Sequence, residues 1–565
     1  MQFNFFKNQH LEHYKIELIH EIFSSNSFRP ELKELYIPQK LMRYESLLSD
    51  CDKVFKRIIN NLSQLQMGEK LWIIGKPESG KSTLLKKIAL RLAFDKKSDT
   101  IPVYLNLEQL WQSKRALLDF IIKIFAERDY PQPDKFIYKN LAAGKLVFLA
   151  DALDEISHQQ EIREVLRLVK EFLEHYSQSG NTFLIACRTA QYCNYLNGLG
   201  KVYLADLNEK QMEGLIQSRL SWPTNPYQLL EELKNDIQLK RLSRSPFGFS
   251  RICYLFQNGK SLPRNRAELY QIFIRHNLEL SANPFGRISY NLKLKSQILE
   301  ASAFYLQEQG KIYFSEDEFR QILQKFRPEQ KISLQEAQDL LKETYAPAGL
   351  LMLAKNRNLY RFTHLSLQEN LAAQNLNNRP DGLKYLLGKH QDNWWRECIV
   401  HFAGLQNNAS NLINCLNEIN VDLALNCFAE AQQVYPELQR SMQKYLQRNL
   451  DRDCGGNFHL DAYNQAVIAK ADGRTVNFLK AKIYKSPEIW RKIKCAQLLC
   501  EIGDERSLNL IEGCLQNGTD AETKKAVVSA FDHLWSHHQP LPSSITNPQL
   551  LELAGKSLSA IEGKN

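Results

Sequence analysis

Apolar and polar positions change their spacing along this chain, and the changes mark out its parts. In residues 1–66, Leu11, Tyr14, Ile16, Leu18, Ile19, Ile22 and Phe23 recur at helical spacing, as do Val54, Phe55, Ile58, Ile59, Leu62 and Leu65. Two amphipathic helices are predicted there, a helical lead-in or adaptor to the domain beginning near residue 67. Over 67–206 the pattern alters. Short apolar runs at 71–74, 101–107, 146–150, 182–187 and 201–204 alternate with amphipathic stretches near 81–93, 113–128 and 158–176. Runs of that length read as strands of a parallel sheet covered on both faces, and the stretches between them as its helices. Residues 207–263 read as a small helical domain. In 264–380, Ser315…Glu318 and Ser333…Glu336 mark helix starts as capping boxes. A hairpin comes next, 349–353 against 359–363, around the polar turn Lys355-Asn-Arg-Asn358. Residues 381–565 are helical throughout, beginning with Trp394-Trp395-Arg-Glu-Cys-Ile-Val-His-Phe-Ala.

Composition narrows the class without altering this outline. With 565 residues, 44% apolar and 24% charged, the chain has an ordinary globular make-up and room for several cores. Lys+Arg exceed Asp+Glu by 73 to 63, but the surplus is scattered, which describes a solvated surface better than a nucleic-acid groove. The eleven cysteines show no CxxC or Cys/His metal spacing. Cys187, Cys253, Cys415, Cys495, Cys500 and Cys514 sit among apolar residues and read as reduced core thiols. The opening Met1-Gln-Phe-Asn-Phe-Phe-Lys7 lacks a basic stretch followed by an apolar one, and no apolar run approaches the ~18 residues of a membrane span. A cytoplasmic protein is expected.

The chemistry concentrates at the end of the first apolar run. Leu71-Trp-Ile-Ile leads into Gly75-Lys76-Pro77-Glu78-Ser79-Gly80-Lys81-Ser82-Thr83, and a helical pattern starts at once. Strand, glycine-bounded loop and helix in that order build a phosphate cradle. The glycines let successive N–H groups face one anion, Lys81 reaches the β- and γ-phosphates, and the Ser82 hydroxyl ligates Mg²⁺. The run 146–150 ends in Asp151-Ala-Leu-Asp154-Glu155. An aspartate at the carboxyl end of a buried strand beside such a loop holds Mg²⁺, and two further acids can polarise an attacking water. The run 182–187 ends at Arg188, whose guanidinium is placed to meet the γ-phosphate.

With these motifs in hand, residues 65–380 resemble a NACHT domain and the modules that follow it in signal-transduction NTPases. The match rests on the loop, the strand Ile101-Pro-Val-Tyr-Leu-Asn-Leu before the aspartate strand, the string Asp151-Ala152-Leu153-Asp154-Glu155 with its small second residue, and Phe183-Leu-Ile-Ala-Cys-Arg188-Thr. Leu242-Ser-Arg-Ser-Pro246-Phe-Gly-Phe resembles the family's small-helical-domain motif, which implies that Pro246 packs near the base. The region 266–378 resembles its winged helix, and Phe362-Thr-His364-Leu-Ser-Leu-Gln-Glu369 its Phe-x-His…Glu segment, which implies that His364 reaches the β-phosphate of ADP. Further on, Ala496 to Ile511, interrupted by Gly503-Asp504, resembles a HEAT-type helix pair continued from Lys525, with a weaker copy near Ala466–Leu479.

The resemblance implies an ADP-closed, ATP-open switch with slow hydrolysis. Its ATP form would self-assemble, and an activating ligand, phage-derived in the bacterial antiphage members, would act at the C-terminal region. The choice between ATP and GTP, and any nucleic-acid partner, stays open on the residues alone. So do two other readings. One is a motor that remodels nucleic acid or protein, although no second finger arginine and no basic aromatic groove are visible. The other is a nucleotide-bound scaffold, against which intact Ser82, Asp151, Asp154 and Glu155 weigh.

Overall fold

The computed structural model describes residues 11, 13–18, 41–43, 58–59, 68–95, 99–176, 179–192, 195–196, 198–204, 206–207, 212–216, 225–280, 292–326, 333–345, 349–354, 359–449, 466–467, 470, 473–487, 489–502, 505–516 and 527. They fall into two compact units. The first takes Met1–Asp206 and Ile274–Asn375, the second Leu207–Phe273 and Leu376–Asn565.

The first unit is built on a sheet of seven strands: β1 (Leu41–Arg43), β2 (Ile58–Ile59), β3 (Lys70–Gly75), β4 (Ile101–Asn106), β5 (Leu146–Asp151), β6 (Thr182–Arg188) and β7 (Gly200–Leu204). Their spatial order is β2-β1-β7-β3-β6-β5-β4. The five strands from β7 to β4 run parallel, and β5 and β6 are buried along their whole length. That explains why they read as unbroken apolar runs: helices cover both faces, so neither face needs polar residues. The helices Lys81–Phe94 and Gln159–His175 turn Leu84, Leu85 and Ile88 and Val165, Leu166 and Val169 into this core.

Parallel strands place all their carboxyl ends along one edge. The register there puts Gly75 opposite Arg188 and Asn106 opposite Asp151. Every chemical residue expected from the sheet therefore reaches the same rim, where ligands bind in open α/β sheets.

Several boundaries differ from expectation. The run 101–107 ends as a strand at Asn106, because the Asn106 side chain accepts from the Gln109 N–H at 2.9 Å and starts the helix Leu107–Ser113. The amphipathic stretch 113–128 is divided at Lys114, which adopts a left-handed φ of 54°, and Leu117–Ala126 follows as a separate helix. Pro133–Ala142, a helix not foreseen, carries its proline in the first turn. In the N-terminal region, Ile58 and Ile59 pair antiparallel with Met42 and Leu41 at the sheet edge instead of continuing a helix. A β-branched pair suits a strand as well as a helix, and spacing alone did not decide between them. Of the first predicted helix, 13–18 is helical. Tyr14 stacks on Phe125 at 4.0 Å and donates to Pro102 O at 2.9 Å, while Ile16 is 47% exposed. Val54, Phe55, Leu62, Leu65, Ile19, Ile22 and Phe23 lie outside the described residues.

The same unit holds the helices Leu292–Glu308, Glu316–Phe326 and Leu334–Tyr345, then a hairpin of β8 (Leu351–Ala354) and β9 (Leu359–Phe362), then the helix Leu365–Asn377. Both capping boxes form. Ser315 N–H donates to Glu318 Oε2 at 2.9 Å and Glu318 N–H to Ser315 Oγ at 3.1 Å; Ser333 and Glu336 repeat the exchange at 2.8 and 3.2 Å. The hairpin pairs Leu351 with Phe362 and Ala354 with Leu359; its predicted turn lies outside the described residues.

The second unit is helical among its described residues. Helix Pro246–Gln257 is capped by Ser245, whose Oγ accepts from Gly248 N–H at 2.9 Å. Gly473–Lys485, Ile489–Ile502 and Glu505–Gln516 succeed one another as short helices, with Gly503-Asp504 outside the described residues. Glu430, buried, meets Arg241 at 3.0 Å and the Arg266 N–H at 3.1 Å, joining the Arg241 and Arg266 helices to Val421–Glu430. Cys187, Cys253, Cys495 and Cys514 are buried, as expected of core residues. Cys415 is exposed, a correction: its helix Ser410–Ile419 buries Leu412, Ile413 and Leu416 on another face. The Cys500 side chain lies outside the described residues. Among the described residues no helix is long and apolar enough to cross a membrane.

Candidate functional site

The loop between β3 and the helix Lys81–Phe94 owes its shape to its two glycines. Gly80 takes a left-handed φ of 89° as it enters the helix. At Gly75 an added Cβ would lie 2.5 Å from Ser79 Oγ and 3.3 Å from Leu204 Cβ, so the loop folds back over that residue only because it lacks a side chain. Glu78 also has a left-handed backbone, φ 66°. Lys76 Nζ pairs at the surface with Asp206, 3.3 Å away, and Ser79 is buried. Pro77 completes the loop, and Thr83 lies in the first helical turn.

Lys81 is buried, and its Nζ donates to Gly75 O at 3.1 Å and to Lys76 O at 2.7 Å. The ammonium thus closes the loop on itself and marks where phosphate oxygens would compete for it. Burial lowers its pKa, and the Asp154 carboxylate acts in the opposite direction. Ser82 Oγ donates to Asp151 Oδ1 at 3.1 Å, and Tyr104 OH to Asp151 Oδ2 at 2.5 Å. A hydroxyl and a carboxylate this close, at the positive end of a helix, form the oxygen donor set that Mg²⁺ takes together with phosphate oxygens and water. The residues present fit that ion and a nucleotide phosphate chain.

After Asp151 the chain turns sharply. Ala152 is left-handed at φ 64° and opens one tight turn, Leu153–Glu155. A left-handed backbone is unfavourable for any residue with a Cβ, and a β-branched or bulky residue would crowd it further. The turn presents Asp154 to the end of β6, where Arg188 Nε donates to Asp154 Oδ2 at 2.6 Å. Burial alone would push the Asp154 pKa up; the charges of Arg188 and Lys81 outweigh it and hold the carboxyl below its ordinary value.

Both acids of the turn, directly or through Arg188, are also tied to β9 and the helix that follows it. Arg188 Nη1 donates to Glu369 Oε1 at 2.7 Å, with side-chain exposures of 10% and 3%. Arg361 grips Glu155 in a fork, Nη1 to Oε2 at 2.9 Å and Nη2 to Oε1 at 2.6 Å, each side chain 15% exposed. Burial opposes the charge of Arg361, yet Glu155 prevails and raises its pKa further. The Arg361 guanidinium also lies over the Tyr313 ring, 5.4 Å from its centroid.

His364 sits between these two anchors. It lies at the junction of β9 and the helix Leu365–Asn377, partly buried, rather than within the helix, and its carbonyl accepts from Leu367 N–H at 3.0 Å. Pro246 opens a helix of the second unit and is described within that unit.

Of the expected residues, the structure brings together Lys81, Ser82, Asp151, Asp154 and Arg188 at one rim, with Glu155 alongside. Sequence reasoning missed Tyr104, Arg361 and Glu369. Glu369 stood inside a segment already singled out. Tyr104 and Arg361 carried no signal beyond their strands, since their partners lie 47 and 206 residues away.

Parallel sheet, glycine-bounded loop, buried lysine and the Ser82–Asp151 pair together define a P-loop NTPase core. Residues 69–221 match the model of the NACHT domain, so the chain carries a NACHT domain. No curated protein matches the chain. Among solved structures, the crystal structure of Cdc6p from Pyrobaculum aerophilum matches with 13% identity and a TM-score of 0.23, over 54% of this chain and 87% of that one.

Proposed function

We propose that this chain is a nucleotide-dependent switch of the NLR-like defence type, closed with ADP, open and self-assembling with ATP, and slow in hydrolysis. The observation that carries it is the double ion pair: the acids suited to activating water are tied, directly or through Arg188, to the hairpin's second strand and the helix that follows it. A turnover enzyme gains nothing from tethering them. A switch does, because the tethered segment then responds to what occupies the loop.

In this reading Lys81 and the loop N–H groups of residues 76–82 hold the phosphates, and Ser82 and Asp151 hold Mg²⁺. That ion supplies charge neutralisation at the phosphates when bound. Glu155, once released by Arg361, orients the water, and Arg188 neutralises charge at the terminal phosphate. The helices and hairpin of 292–377 act as the winged helix, His364 donating to the diphosphate of the closed form. The C-terminal helices act as a HEAT-like sensor for a ligand of phage origin. The bias required to pass from mostly closed to mostly open is about 5 kcal/mol, which a triphosphate and a sensor ligand can share.

Size-exclusion chromatography with light scattering tests the reading directly. A monomer in ADP and a defined assembly in a β,γ-imido analogue of ATP are expected; the same mass in both would refute the switch. Brisk unstimulated turnover would favour a motor instead.

Glu155→Gln is expected to keep nucleotide bound while hydrolysis falls by about 10²- to 10⁴-fold, the range of a lost general base. Asp154→Asn should lower hydrolysis as well, since Arg188 loses its nearest carboxylate. Single-turnover assays with radiolabelled ATP check both, and normal rates in both variants would remove these acids from the chemistry.

His364→Ala is expected to reduce the thermal stability conferred by ADP while sparing that conferred by the imido analogue. One charge-assisted hydrogen bond to a phosphate contributes about 1.5–3 kcal/mol. Melting curves in ADP, in the analogue and without nucleotide separate the roles, because a merely structural histidine lowers all three alike.

A further inference from the structure

We infer that Glu369 determines the preference between triphosphate and diphosphate, by acting as a built-in competitor for the terminal phosphate at Arg188. The inference rests on the nucleotide-switch reading and adds the device by which the two nucleotides are told apart.

Arg188 closes β6 directly opposite Gly75, the first residue of the phosphate loop, so its guanidinium stands at the rim where the phosphate chain ends. It points one nitrogen at Asp154 and another at Glu369, at 2.6 and 2.7 Å. Asp154 belongs to the same rim and travels with it. Glu369 does not: it arrives on the helix Leu365–Asn377, 181 residues further along the chain, and its side chain is almost wholly buried. A buried carboxylate persists only while its cation stays. A terminal phosphate offers Arg188 the same chemistry, anionic oxygens that accept its N–H bonds, with more charge.

Arg188 has one fork for two claimants. A diphosphate ends short of it, so Glu369 keeps its place and the helix stays docked. A triphosphate takes the Nη1 position, and the displaced carboxylate leaves for water with its helix. Arg361, eight residues earlier and directly before Phe362 at the end of β9, is carried by the same segment, so its fork on Glu155 loosens in the same movement. Discrimination thus arises from the differential affinity of one arginine for two anions, the quantity that allows a ligand to shift a two-state equilibrium. The relation is reciprocal: weakening the carboxylate must strengthen the triphosphate.

The test measures dissociation constants for ADP and for the imido analogue, both with Mg²⁺, on wild type, Glu369→Gln, Arg188→Met and the double variant. Glu369→Gln removes the charge and keeps the shape. It is expected to tighten the analogue by about tenfold, close to the net effect of one charge-assisted hydrogen bond, and to leave ADP within about twofold. In the Arg188→Met background the same substitution should change the ratio by less than about twofold, since the shared partner is gone. An unmoved ratio in Glu369→Gln overturns the inference, as does an equal shift with and without Arg188. Wild type that binds neither nucleotide overturns the P-loop reading, and this inference with it; wild type that binds both leaves that reading intact whatever the variants do. Should Glu369→Gln fail to fold, hydrogen exchange on wild type decides: amides of 359–370 are expected to exchange faster with the analogue than with ADP, and equal protection overturns the inference.

Discussion

Lys81→Ala is expected to abolish nucleotide binding at physiological concentrations. In the resting loop the Lys81 ammonium already serves as a donor to two carbonyls, Gly75 O and Lys76 O, from a buried position with a lowered pKa. Phosphate oxygens arriving in the loop inherit a cation whose burial weakens any competing hydration, which is why a single residue can dominate the affinity. If Lys81 makes two charge-assisted contacts to the phosphates, each contributing about 1.5–3 kcal/mol, their loss weakens binding by roughly 10²- to 10⁴-fold. Alanine also leaves the two loop carbonyls without this donor, so the empty loop changes along with the bound one. Isothermal titration with ADP and with the imido analogue provides the check, circular dichroism having established that the helix Lys81–Phe94 and its neighbours are retained. An unchanged affinity would mean that the phosphates lie elsewhere.

The core of this site was legible in the sequence because each part is local. Gly75, Gly80, Lys81 and Ser82 fall within eight residues, and the backbone conformations that they impose are set by those residues themselves. Asp151 was legible because β5 is buried throughout, and a carboxylate ending such a strand has little else to do. The small residue after it adopts a left-handed backbone, φ 64° at Ala152, which spacing did not foretell. The capping boxes were legible for the same reason: three residues suffice to write one.

Illegible features share the opposite property. Spacing within a segment says which face is apolar and nothing about which arginine will meet which glutamate across the unit. Arg361 and Glu155 are as ordinary in sequence as any surface pair, and only the docking of β9 beside the turn Leu153–Glu155 turns them into a buried fork. The strand pair at Leu41–Arg43 and Ile58–Ile59 failed for another reason. The three-residue β1 pairs with the distant β7 and the two-residue β2 pairs with β1, so long-range partners hold both, and the local helical spacing of Val54 to Leu65 misdirected the expectation. The pairings of Glu369 and Arg361 also change how Asp154 and Glu155 are understood. Spacing suggested acids that polarise an attacking water; the structure shows both acids engaged with arginines.

Arg361→Met should destabilise the first unit by about 3–5 kcal/mol, the usual cost of removing one partner from a buried ion pair. The methionine keeps much of the aliphatic stem and its place near Tyr313, so the loss comes chiefly from Glu155, left 15% exposed without its forked donor. If the pair acts as a lock, the loss falls on the closed form. The variant should then assemble in the imido analogue without a sensor ligand, and its melting temperature without nucleotide should drop. Arg361→Lys retains the charge but cannot fork, and should fall between the two. The decisive comparison is the double variant Arg361→Met/Glu155→Gln. Removing both charges leaves no buried ion unpaired, and such replacements are often close to neutral in stability. Denaturant titration should therefore show the double variant more stable than Arg361→Met alone, even though it carries one more substitution. Simple additivity would make it less stable; that result would show that Glu155 finds compensation elsewhere once Arg361 is gone, and that the fork holds nothing closed.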